Sequence, residues 1–252
     1  KDTAIRKMST TTNIMMRITG ALSVLLVFSG LNGCLSTSSD NLPTMGDGRV
    51  SIDESVQPLF QSQIYTYQCS YPQTNFITAY LPEGDVINSL LKDSLLEVAV
   101  ICRDLTTAEK TYLDKKNRTP TTIKILDDAI AVVVHKNNNY NQLTTAQIKR
   151  LLLGQDTSWS QLSDTAKARK ITVVFDNNQS GNSRYLSEKL LNGQPFSPNC
   201  YAVKSNKAVI QYVSENPGAI GFVAVNWISD KDDSTCRALR EKINVVSIKG
   251  SD

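Results

Sequence analysis

Two short stretches carry residue types suited to gripping a small anion. Ser55 opens the first long helical segment, and Ser180-Gly181-Asn182 follows a strand-like run at 170–175 and opens another helix. A helix N-terminus presents free N–H groups and the positive end of the macrodipole, so a hydroxyl there adds one more donor. Gly181 lets the backbone approach a ligand closely. Arg103, at the end of the run 97–102, offers a planar fork suited to an oxyanion. Each also has a plainer reading. Ser180-Gly181 fits an ordinary N-cap turn, and Arg103 fits a surface ion pair with Glu109 or Asp104.

Catalytic constellations are harder to assemble. The single histidine, His135, ends an apolar run beside Lys136, with no orienting acid or nucleophile in view. Gly-x-Ser-x-Gly and the G-x-x-x-x-G-K-[ST] phosphate loop are both missing from the sequence. Cys102 is a nucleophile by type, but without a base beside it a buried thiol or a disulfide partner is the simpler reading. Asp127-Asp128 and Asp232-Asp233 read as solvated loop acids. The chain is therefore expected to bind rather than to catalyse. Wide cysteine spacings and one imidazole give no zinc pattern, so no metal and no cofactor are expected.

The first 34 residues set the compartment. Arg6, Lys7 and Arg17 precede an apolar run at 18–28, which is shorter than the roughly 20 residues a bilayer requires. The run reads as the h-region of a secretory leader. Leu31-Asn32-Gly33-Cys34 follows it and resembles the bacterial lipobox, which makes Cys34 the lipidated first residue of the mature chain. The expected start of translation is Met8, Met15 or Met16. Residues 34–46, rich in Ser, Thr, Asn and Pro, read as a flexible tether. The net charge of +3 resides in the leader, so the mature chain is near neutral and lacks the clustered basic excess of a nucleic-acid binder. Export permits disulfides among Cys69, Cys102, Cys200 and Cys236, with three connectivities open.

The elements that must position these residues alternate. Strand-like runs lie at 49–52, 75–80, 97–102, 128–135, 170–175 and 219–225; helical spacing covers 55–69, 85–92, 106–116, 144–153, 182–191 and 206–215. Thr106 with Glu109 forms a capping box, and Asn216-Pro217-Gly218 is a stop signal. Alternation of this kind predicts an α/β fold with parallel sheets covered by helices on both faces. Ligands of such sheets bind beyond the carboxyl ends of strands.

Five strings in order, VSIDESVQPLF (50–60), AVICRDLTTAEK (99–110), DDAIAVVVHKNNNYNQLTTAQIKRLLLGQ (127–155), TVVFDNNQSGNSRYL (172–186) and NPGAIGFVAV (216–225), carry a family likeness. Together they resemble the phosphate-binding protein of bacterial phosphate ABC transporters. The most specific stretch is Leu-Thr-x-x-Gln-x-x-x-x-Leu-x-Gly from Leu143, followed by Trp159. The resemblance implies a type II periplasmic-binding fold of two lobes, with parallel or mixed sheets. It implies a monomeric solute-binding protein that takes phosphate or a related oxyanion between its lobes and delivers it to permease subunits, with no nucleic-acid partner. Lobe 1 is expected at 47–130 plus 229–252 and lobe 2 at 131–228, with hinges near 128–131 and 225–227. Family chains continue past the segment matching 240–250, which implies a first lobe lacking its returning segment.

Through the same resemblance, Ser180-Gly181-Asn182 matches the family's Ser-Gly-Thr, and Cys102-Arg103 takes the place of its Ser-Arg. Two positions depart. Asp176 stands where the family has an Arg, and Glu83 aligns with a ligand serine. Asp53 and Glu54 add acid at the first helix start, and Arg184 is placed to compensate for the lost Arg. A buried carboxylate facing phosphate costs several kcal/mol unless protonated or paired. Phosphate, another oxyanion, or a ligand with donors or positive charge all stay open. The alternative is a surface lipoprotein of the same fold acting as a sensor or interaction module.

Overall fold

Residues 44–162 and 168–250 are described by the computed structural model. The leader, Cys34 and the tether up to residue 43 lie outside the described residues. Among the described residues no helix is long and apolar enough to cross a membrane.

The chain builds an α/β architecture around two sheets. The first half runs β1 (Met45–Asp53), a 3₁₀ turn Glu54–Val56, α1 (Gln57–Ser70), β2 (Gln73–Leu81), α2 (Glu83–Lys92), β3 (Val98–Val100) and α3 (Thr107–Asp114). The second runs β4 (Ile130–His135), β5 (Gln142–Thr144), α4 (Thr145–Leu152), β6 (Thr172–Phe175), α5 (Gly181–Leu190), β7 (Cys200–Ala202), α6 (Asn206–Glu215), β8 (Ala219–Ala224), α7 (Asn226–Ser229), α8 (Ser234–Arg240) and β9 (Ile243–Lys249). The first sheet has the order β2-β1-β3, with β1 and β3 parallel. The second has the order β5-β9-β4-β8-β6-β7.

The larger sheet is mixed rather than parallel. β8 runs parallel to β6 and antiparallel to β4, and β4 also pairs antiparallel with β9. Alternation along β4 splits its side chains between two cores. Val132 and Val134 join Phe175, Phe222 and the α4 and α5 residues Leu151, Leu152 and Leu186 on one face. Ala131 and Val133 join Val174, Val223 and the α6 residues Val209, Ile210 and Val213 on the other. Helices on both faces leave β8 wholly buried, which explains its unbroken apolar run. At Gly221 a Cβ would fall 2.6 Å from Val209 Cγ1, so only glycine lets α6 pack this tightly on β8.

Local signals held where side chains close on their own backbone. The Thr106–Glu109 capping box forms at the start of α3, and α6 occupies 206–215 as read from its spacing. Two expectations need correction. The run 97–102 was expected as a buried strand, but β3 spans three residues at a sheet edge and Val98 is 48% exposed. Residues 229–252 were expected with the first lobe. Instead β9 hydrogen-bonds along β4, because Ile243 and Val246 bury their side chains in the large sheet's two cores and satisfy β4's open edge.

Candidate functional site

The candidate site forms where β1, α2 and β3 of the first sheet meet the start of α5. Asp53 ends β1 fully buried, and its Oδ1 accepts from the Ser55 N–H at 3.0 Å, capping the 3₁₀ turn. Ser55 Oγ then lies 3.4 Å from Cys102 Sγ. Glu83 opens α2, nearly fully buried, and its Oε1 accepts from the Cys102 N–H at 3.0 Å. Opposite them, Ser180 caps α5 by accepting from the Ser183 N–H at 3.0 Å. Gly181 is the point of closest approach. A Cβ there would sit 2.9 Å from Asp53 Oδ2, 3.2 Å from Cys102 Cβ and 3.3 Å from Glu83 Oε1. The first N–H groups of α5 lack carbonyl acceptors within the helix, and Ser180 Oγ takes that of Ser183.

Carboxylates engage most of the donors. Arg184 forks onto Glu83, with Nε 2.6 Å from Oε2 and Nη2 3.2 Å from Oε1, and Nη2 also donates to the Cys102 carbonyl at 3.2 Å. Asp176 accepts from Ser180 Oγ at 2.6 Å, Asn182 Nδ2 at 3.0 Å and Asn206 Nδ2 at 3.2 Å. Glu54 accepts from Asn206 Nδ2 at 2.7 Å and from its N–H at 3.2 Å. The Trp227 indole donates to the Glu54 carbonyl and Asn226 Nδ2 to the Ser55 carbonyl. Arg103 follows its plainer reading. Its two Nη atoms hold Glu109 at 2.9 and 2.7 Å, and only Nε turns toward Glu83, at 4.0 Å.

The electrostatics follow from crowding acids at a buried junction. Burial pushes the Asp53 carboxyl up to about 6, with the Glu83 charge adding to it. Burial likewise pushes Glu54 up to about 7, aided by Asp176 and Asp53. Asp176 is raised by burial against the opposing pull of its Ser180 and Asn182 donors. Cys102 is exposed as a residue, yet desolvation on the sulfur's inner side and the Asp53 charge push its thiol up to about 12. All four described cysteines are free thiols. Asp53, Glu83 and Cys102 bring ligand-type atoms within 4.8 Å of one another.

Ser55, Glu83, Cys102, Arg103, Ser180, Gly181, Asn182 and Asp176, all picked from the sequence, therefore gather here, with Asp176 and Asn182 set back behind Ser180. The sequence reading missed Asn206, Asn226 and Trp227. Asn206 had a signal: it is the one polar residue in the stripe Asn206, Val209, Ile210 and Val213 that α6 buries.

Comparison with known proteins places these features in a wider set. A sequence profile described as a PBP superfamily domain matches residues 37–252. The phosphate-binding protein PstS of Staphylococcus epidermidis is 24% identical over 132 residues, 52% of this chain and 40% of that protein. Protein SphX of Synechococcus elongatus is 26% identical over 140 residues, 54% of this chain and 41% of that protein. These alignments span about two fifths of each relative's length. Among solved structures, a putative phosphate ABC transporter substrate-binding protein from Clostridium perfringens, with bound phosphate, superposes with a TM-score of 0.67. That likeness carries 21% identity and covers 82% of this chain and 77% of that one.

Proposed function

This chain belongs to the PBP superfamily, and we propose that it is a solute-binding protein outside the cytoplasm, a binder and not an enzyme. It takes phosphate or a related oxyanion and presents it to the permease of an ABC transporter. One observation carries the reading. The start of α5, with its Ser180 cap and Gly181, closes against Asp53, Cys102 and Glu83 of the other sheet, and a helix N-terminus at such a junction suits a small anion that brings its own proton to a carboxylate. The relatives named for phosphate support the ligand class. The lipobox at Cys34 supports a lipid anchor. Residues 47–130 and 131–228, the latter with β9, act as two lobes hinged at 128–131 and 225–227. There the Asn226 amide donates to Asp128 at 3.1 Å across the two crossings. The acids admit phosphate selectively, because a protonated phosphate can donate to a carboxylate and sulfate cannot.

A second reading has its own observation. Glu83, Asp176 and Glu54 already engage Arg184, Ser180, Asn182 and Asn206. That pattern favours a module of the same fold that senses or docks a ligand other than phosphate. Calorimetric titration with phosphate at neutral and mildly acidic pH, with sulfate as control, separates the two. Micromolar phosphate binding that Ser180→Ala abolishes and sulfate does not reproduce supports the transport reading. A folded chain that gives no heat with phosphate at either pH overturns it in favour of the second.

A further inference from the structure

We propose that Asp53, Glu83 and Cys102 form a binding site for a divalent transition-metal ion of the zinc class. The three come from the end of β1, the start of α2 and the end of β3, so no spacing in the sequence announces them. Their ligand atoms lie within 4.8 Å of one another. A tetrahedral ion at ordinary Zn–O and Zn–S lengths sets its ligand atoms about 3.5 Å apart, a difference that small side-chain rotations close.

Each candidate ligand is oriented by a neighbour and keeps an atom for the ion. Asp53 uses Oδ1 to accept from the Ser55 N–H, while Oδ2 is buried without a well-formed hydrogen bond among the described residues, the Cys102 thiol and Ser55 hydroxyl being the donors beside the carboxylate. A buried carboxylate oxygen without a well-formed hydrogen bond is costly unless something positive meets it. That atom points to where Gly181, Cys102 and Glu83 converge. Glu83 Oε1 accepts twice, from Cys102 N–H and Arg184 Nη2, but Oε2 accepts only from Arg184 Nε, which leaves one lone pair. Cys102 Sγ has Ser55 Oγ beside it at 3.4 Å. Such outer partners fix ligand geometry at metal sites generally.

Charge and softness select the ion. Two carboxylates and a thiolate face the Arg184 fork and a more distant Arg103 that is already held by Glu109, so the cluster keeps a negative charge that a dication offsets. A sulfur ligand excludes magnesium and calcium and favours zinc, cobalt or ferrous iron. Binding releases the Cys102 thiol proton to solvent, with no change of oxidation state. The inference does not rest on the oxyanion reading, although the ion would share Cys102 and the Gly181 junction with it.

Cobalt(II) is the probe. The whole chain, kept reduced and free of phosphate, is titrated while thiolate-to-cobalt charge-transfer absorption is followed. A saturable band at one ion per chain is expected. Cys102→Ser removes it, Cys69→Ser and Cys200→Ser leave it, and Asp53→Asn weakens binding by about tenfold or more. Circular dichroism checks that each variant is folded, and Gly181→Ala, which crowds Asp53 Oδ2, supplies an independent loss. No band from the folded chain, or a band that survives Cys102→Ser, overturns the site. Phosphate calorimetry in chelator, run separately, tests the oxyanion reading without touching this one.

Discussion

The two sheets are held in different ways. The six-stranded sheet is buried between two apolar cores, and β8 has no exposed residue. The three-stranded sheet has a smaller buried cluster, Val50, Ile52 and Val56 on β1 and the turn after it, with Val86, Ile87, Leu96 and Leu113 buried on the segments around it. Its helix α1 buries no residue, and Ile77 and Val98 stay exposed on its outer strands. What it lacks in apolar burial it makes up through polar links to the larger region. Glu83 holds Arg184, Glu54 holds Asn206, and the Gly84 N–H donates to the Gln179 carbonyl at 2.9 Å. The candidate site is therefore also the fastening between the two regions. Anything that alters its carboxylates acts on ligand affinity and on the docking of the smaller sheet together.

The largest expected effect comes from a matched pair of truncations. Ile220→Ala on β8 and Ile52→Ala on β1 each remove a fully buried side chain. Truncations of this kind cost about 2–5 kcal/mol. Ile220→Ala is expected near the top of that range and to lower the midpoint of global denaturant unfolding. Ile52→Ala is expected near the bottom, with hydrogen exchange accelerated in β1–β3 but not in β4 and β8. Equal effects on both sheets would break the comparison.

Next comes the fastening itself. Arg184→Ala leaves the buried Glu83 carboxylate with the Cys102 N–H and only the Arg103 Nε at 4.0 Å as a cation. A loss of about 1–3 kcal/mol is expected, again read as faster exchange in the smaller sheet. Exchange unchanged there would mean that the sheet does not depend on this link. The caps are smaller still. Thr106→Ala and Thr144→Ala each remove one capping box, on α3 and α4, at about 1 kcal/mol. The first should loosen only the smaller region, and the second should lower the global midpoint.

The smallest effect is a pH dependence at Glu109. Its hydrogen bonds to Arg103 hold the carboxyl down at about 2, below the ordinary 4.5 of the unfolded chain. A depressed carboxylate stabilises the fold fully above the unfolded value, and that contribution fades as pH falls from 4.5 toward 2. Exchange in α3 should therefore quicken over that window in the native chain. The Glu109→Gln variant should show a flatter profile, and an unaltered one would remove Arg103 as the cause.

Much of the architecture was legible in the sequence because its causes are local. Apolar periodicity over a few residues distinguishes 130–135 as strand from 206–215 as helix, and Thr106 reaches its own Glu109 wherever the chain lies. Ser180 as a helix cap belongs to the same class. The tertiary structure alone decided what those residues meet. Arg184 finds Glu83 across 101 positions and Asn206 finds Glu54 across 152, separations at which no spacing rule operates. β9 joined the larger sheet because β4 had an open edge, a fact of sheet order and not of composition. The raised Asp53 and Glu54 carboxyls likewise follow from burial, which depends on how the two sheets come together and not on the string of residues that forms them.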